Sequence, residues 1–218
     1  DKPFTLVEDL AVTYHIQLVA GEDSIGSIAI TKEMMDIYGI DVATLHKQAM
    51  NNMERFSPAV IRPVREVLMN LMVPEFMAEY GMSEAEAHRS VEAAIPENIP
   101  ELLCVTNDSG LNGAVCIVSP EVQQKLEETA GGDYYVFPSS VHEILVLPKA
   151  GEINCAELQA MVQRINQETV SEDEWLSDHI YEYNAENRIF HIADSSLQKE
   201  TLEKTPEKMV QKHNAKRH

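Results

Sequence analysis

Ser139, Ser140, His142 and Glu143 fall within five positions, between the apolar runs Tyr134–Phe137 and Ile144–Leu147. A serine nucleophile needs a base within hydrogen-bond reach and a third group to orient that base. All three residue types are present. Yet neighbouring residues of an extended chain point to opposite faces, which separates His142 from Glu143. Ser140 and His142 share a face at about 6.5–7 Å along a strand, long for a direct bond. The same residues also suit a bend after Pro138, with the hydroxyls and His142 bonded to local backbone. The bend is the simpler reading, and a hydrolase using Ser139 or Ser140 with His142 and an acidic partner is the competitor.

A second set, Asp178, His179 and His191 with Asp194, lies on an expected final hairpin. Histidine and aspartate together can hold zinc, but the spacing supplies no evident third or fourth ligand. Histidines alternating with Ile180, Tyr181, Phe190 and Ile192 read more simply as packed sheet residues. Asn107, Asp108, Ser109 and Asn112 have the side chains that turns use, and too few carboxylates for a calcium loop. Cys104 and Cys116 sit in apolar runs and, with Cys155, lack metal-ligand spacing, so free thiols in a reducing compartment are expected. There is no phosphate-binding glycine loop, HExxH, CxxC pair or GxSxG elbow. No cofactor is expected.

The elements that must carry these groups follow from periodicity. From Phe4 to Leu18 nearly every even position is apolar, which predicts one long half-buried strand, with "IGSIAI" returning as its hairpin partner. Thr31 and Gly39 bracket a short helix, and Asp41 caps a longer one with Val42, Leu45, Ala49 and Met53 on one face. Val64 to Met72 is helical in period, with Pro74 expected to end or kink it. Ser83 and Glu86 form a capping box. "ELLCVTN" and "GAVCIV" are expected strands of a hairpin. A helix starts at Ser119–Pro120 and stops at Gly131–Gly132. "YYVF" and "ILVL" are expected strands, Leu158, Met161, Val162 and Ile165 repeat at helical spacing, and "HIYEYN" with "NRIFHI" makes a last hairpin. The order implies an α+β fold of mostly antiparallel sheet built of hairpins, with interspersed helices packed on one face. Pro96 and Pro100 suggest a boundary between residues 1–96 and 97–196, followed by a basic flexible or helical tail, 197–218; one compact domain overall is the alternative.

The 218 residues carry a formal charge of −19, of which the tail contributes +3, leaving −22 on residues 1–196. Such a body repels phosphate backbones, which excludes nucleic acid and anionic membrane as partners. The tail suits an acidic partner or its own acidic body. No apolar run approaches the roughly 20 residues of a membrane-spanning helix, and no signal-peptide pattern appears. The start at Asp1 instead of Met is expected of a piece excised from a longer chain.

The phrases "DLAVTYHI", "NGAVCIVSPEVQQKL", "YYVFPSSVHEILVLP", "LQAMVQRIN" and "LSDHIYEYN", from about Asp9 to Asn184, resemble the bacterial proteins grouped as domain of unknown function 5688, found widely in anaerobic gut Firmicutes. The resemblance implies a bacterial, cytoplasmic protein whose shared function lies in the body and not in the variable tail. It transfers no activity, cofactor or catalytic residue. The expectation is therefore a non-catalytic cytoplasmic domain that binds a protein or small molecule of unknown identity, in an unknown oligomeric state. A hydrolase at Ser139/Ser140–His142 with an acidic partner and a metal site using His142 or His179 with Asp178 or Glu143, or His191, are the alternatives.

Overall fold

A computed structural model describes residues 1–19, 25–95, 101–149 and 170–193, together with Ala160 and Gln163. The expected helix around Leu158–Ile165, the Pro96–Pro100 linker, Cys155, Asp194 and the tail lie outside the described residues.

The chain opens with two hairpins, β1 (Phe4–Val7) with β2 (Leu10–Thr13) and β3 (His15–Val19) with β4 (Ile25–Ala29). The single long strand expected over Phe4–Leu18 is thus three strands. It is broken by a Glu8–Asp9 turn, where Glu8 takes a left-handed φ of 55°, and again at Tyr14. Periodicity missed the breaks because a two-residue turn preserves the alternation of even positions.

Helix α1 (Lys32–Tyr38) begins where Thr31 Oγ1 accepts the Met34 amide and ends at left-handed Gly39. Asp41 caps α2 (Val42–Phe56) by accepting the Thr44 amide at 2.7 Å. A strand absent from the sequence reading, β5 (Ala59–Pro63), precedes α3 (Val64–Tyr80). Helix α3 does not end at Pro74 but runs on to left-handed Gly81. A proline there forfeits one intrahelical bond. The helix persists because Leu68, Met72, Val73 and Phe76 pack against Ala87, Val91 and Ile95 of α4 (Glu84–Ala94) and its end. The expected capping box is present, with the Ser83 amide donating to Glu86 Oε2 at 3.0 Å.

The main sheet is antiparallel, in the order β10-β9-β7-β8-β6-β5, with β6 (Leu103–Asn107), β7 (Tyr134–Phe137), β8 (Ile144–Pro148), β9 (Tyr181–Asn184) and β10 (Ile189–Ile192). Edge strand β5 tolerates Pro63 because an edge leaves amides without ladder partners. It pairs with β6, so the sheet draws strands from both sides of the proposed boundary at residue 96. "GAVCIV" is not a strand. It forms a 3₁₀-helix (Gly113–Val118) that packs with α5 (Pro120–Ala130) on one face of the sheet, burying Cys116, Ile117, Val122 and Leu126 against Val105, Tyr134, Val136 and Val146. A short apolar run cannot be assigned by periodicity alone, and the packing of Gly113 decides it. A β-carbon there would lie 2.3 Å from Thr106 Oγ1 and 2.7 Å from the His142 carbonyl oxygen. The fold is α+β with antiparallel sheets, as expected.

Candidate functional site

The loop between β7 and β8 holds Ser139, Ser140, His142 and Glu143, and its polar groups are turned to neighbouring backbone and side chains. Ser140 Oγ accepts the His142 amide at 3.1 Å, and the Ser140 amide donates to the Glu143 carbonyl. The Asn112 amide donates to His142 Nδ1 at 3.0 Å, so a neutral ring carries its proton on Nε2, which faces Glu174 Oε1 at 3.4 Å. Thr106 Oγ1 donates to the His142 carbonyl at 2.8 Å. Glu143 points elsewhere and accepts from the Cys104 thiol. Burial, with the Glu143 charge adding, pushes that thiol up to about 12. Ser140 therefore serves the loop's own turn, His142 ties Asn112 to Glu174, and Ser139 is half-buried beside them. The structure joins Ser140 to the backbone of His142 and not to its imidazole.

The second set is divided as well. His179 precedes β9, and its Nδ1 lies 2.7 Å from Asp9 Oδ2 in the β1–β2 turn. The Tyr181 hydroxyl donates to the other Asp9 oxygen at 2.7 Å. Burial, with Asp9 adding, raises the Tyr181 hydroxyl well above its ordinary range. His191 lies opposite Glu182 in the β10–β9 ladder and is not brought to His179. Among the described residues its buried Nδ1 has no hydrogen-bond partner. Asp178 neighbours His179 and has interactions of its own. Among the described residues no three His, Cys, Asp or Glu side chains are placed to share a metal ion. The Asn107–Asn112 set is a turn. Asn107 Nδ2 donates to the Leu111 carbonyl, Ser109 Oγ to Asn107 Oδ1, and Asn112 adopts a left-handed φ of 54°.

What the sequence reading missed is a cleft of about 950 Å3 between α2, the β2–β3 segment, the 3₁₀-helix and the main sheet. Leu45, Ala49 and Met53 of α2 form one wall, while Ala114, Ile117 and Val118 form another. Pro138 and Val141 of the β7–β8 loop also reach it, so that loop contributes apolar groups to the cleft while its polar groups hold it in place. Among the described residues lining it there is no Asp, Glu, Lys or Arg, in a chain of charge −19. Its polar groups are amides, hydroxyls and His15. On the α2 lip, Gln48 Nε2 donates to Asn52 Oδ1 at 3.0 Å. Tyr14 is buried in the wall, its hydroxyl held by Thr5 Oγ1 and by His46 Nδ1 at 2.9 Å. One signal was legible: Gln48, Asn52 and Phe56 are uncharged residues at i, i+4 and i+8, one line on a helix surface.

Among the described residues no helix is long and apolar enough to cross a membrane. The model of a family of unknown function, DUF5688, matches residues 1–185. No curated protein and no solved structure matches the chain.

Proposed function

This chain belongs to the family of unknown function DUF5688, and from that premise we propose that it is a non-catalytic binding domain for an uncharged, largely apolar ligand. The observation that carries the reading is the cleft of about 950 Å3 without a charged side chain among the described residues that line it. Apolar walls with a few polar groups are the common make-up of ligand sites, and the volume is in their usual range of about 300–1,000 Å3. Charged ligands would lose hydration there without gaining a partner. A cytoplasmic location belongs to the same proposal, because the free, buried Cys104 and Cys116 suit a reducing compartment.

Nile red, a neutral dye that brightens in apolar surroundings, tests this. The wild-type chain is expected to bind it saturably. Ala49→Trp fills the cleft and should weaken binding about tenfold or more, equivalent to about 1.4 kcal/mol. Ile37→Trp, at an exposed position on α1, should leave it unchanged. Melting curves confirm that both variants are folded. Equal binding by the two variants, or no saturable binding at all, would refute the proposal.

A further inference from the structure

The cleft is bordered by eight consecutive residues, Leu10 to Gln17. In an extended chain one face presents only every second residue. The run takes in β2, the break at Tyr14 and the start of β3, so backbone as well as side chains of this segment borders the cleft. Both β2 and β3 belong to two-stranded sheets, each pairing only within its own hairpin, so each has one edge without a strand partner among the described residues. A free edge of this kind is a template for strand addition, in which main-chain bonds hold an incoming segment and side-chain pockets select it.

Helix α2 forms the facing lip. Gln48, Asn52 and Phe56 are exposed along it, above the partly buried Ala49 and Met53. Gln48 and Asn52 bond each other, yet each carboxamide keeps further donor and acceptor capacity. A neutral donor–acceptor pair of this type suits peptide groups better than it suits ions. The lining part of α2, Leu45 to Phe56, rises about 17 Å, the span of about five extended residues.

The geometry points to the occupant, given the binding reading above: an extended, uncharged peptide segment with apolar side chains at alternate positions. It adds as a strand to the β2–β3 edge, with its outer side against Gln48, Asn52 and Phe56. Its apolar side chains enter the cleft, and the absence of charged side chains among the described lining residues rejects acidic and basic segments.

Phage-displayed random octapeptides selected on the full chain supply the probe. The best synthetic peptide is then N-methylated at odd residues in one version and at even residues in another. Strand addition uses the amides of one edge, so one version should lose about tenfold or more in affinity, the worth of one or two backbone hydrogen bonds, while the other, whose amides meet only the exposed Gln48 and Asn52 carboxamides, should lose clearly less. Equal effects of the two methylation sets, enrichment of charged peptides, or no enrichment while Nile red still binds would overturn the peptide inference and leave the cleft reading standing. Loss of both dye and peptide binding overturns the two together.

Discussion

All four residues of β7 are buried, and Ile144 and Val146 of β8 beside them are nearly inaccessible. On the N-terminal hairpins, Phe4 and Leu6 of β1 are 51% and 64% exposed, and Ile16, Leu18 and Ile28 are exposed as well. Both regions are antiparallel strands rich in apolar residues. In the sheet, both faces of β7 are filled and the polar loop beyond it is held by hydrogen bonds within itself and to Cys104, Thr106, Asn112 and Glu174. In the hairpins, two-stranded ribbons leave apolar side chains exposed and, among the described residues, edges without a strand partner. Isolated two-stranded hairpins are marginal in water, so these owe their order to the packing of Val12, Tyr14 and Ile30 against α1 and α2. On the proposed reading, stability and binding capacity fall in different parts of one chain.

The contrast can be broken by paired truncations. Leu126→Ala in the sheet core should cost about 2–5 kcal/mol in urea unfolding, whereas Leu6→Ala on β1 should stay within about 0.5 kcal/mol. Similar losses at the two sites would erase the distinction. Gly113→Ala tests whether the β7–β8 loop is locked to the sheet. The added methyl meets Thr106, Asn107 and the His142 carbonyl, and overpacking of this kind costs about 1–3 kcal/mol, read by the same unfolding curves.

Asp9→Ala sharpens the comparison at the contact between the regions. It removes the carboxylate acceptor of the buried Tyr181 hydroxyl, which keeps Ser177 as a partner, and releases His179, at a cost of about 1–3 kcal/mol, while Tyr181→Phe should cost less because Asp9 keeps His179. A smaller effect concerns pH. An unfolded thiol ionises near pH 8.5, while burial holds the Cys104 proton up to about 12. Across that window the unfolded state binds fewer protons than the folded one, so stability falls as pH rises. Cys104→Ala should flatten the decline of unfolding free energy between pH 8.5 and 10, and the native thiol should react slowly with iodoacetamide at pH 8.5.

Much of the fold was legible because local chemistry decides it. Thr31, Asp41 and Ser83 start helices where their side chains accept or organise the first-turn amides, and Gly39 and Gly131 stop two of them in the left-handed region. The misreadings came where tertiary packing decides. Gly113 sits too close to β6 and to the His142 carbonyl for any side chain, and that approach joins residues about thirty positions apart. Strand β5, enclosed by Pro58 and Pro63, reads as a loop until β6 is placed beside it. The candidate site divides in the same way. The alternation argument anticipated that His142 and Glu143 face apart, and they do reach different partners, Glu174 and Cys104. The cleft could not be read, since its walls come from α2, β2–β3, the 3₁₀-helix and the sheet, which no local pattern links.

The central claim is that binding belongs to the open N-terminal edge and not to the polar loop of the sheet. Amide chemical-shift mapping of the full chain with Nile red tests it most directly. The account predicts that the largest shifts fall on Leu10–Gln17 and on Leu45–Ser57 of α2 and its end. Shifts centred on Ser139–Glu143 and Glu174, with the Leu10–Gln17 amides unmoved, would contradict it.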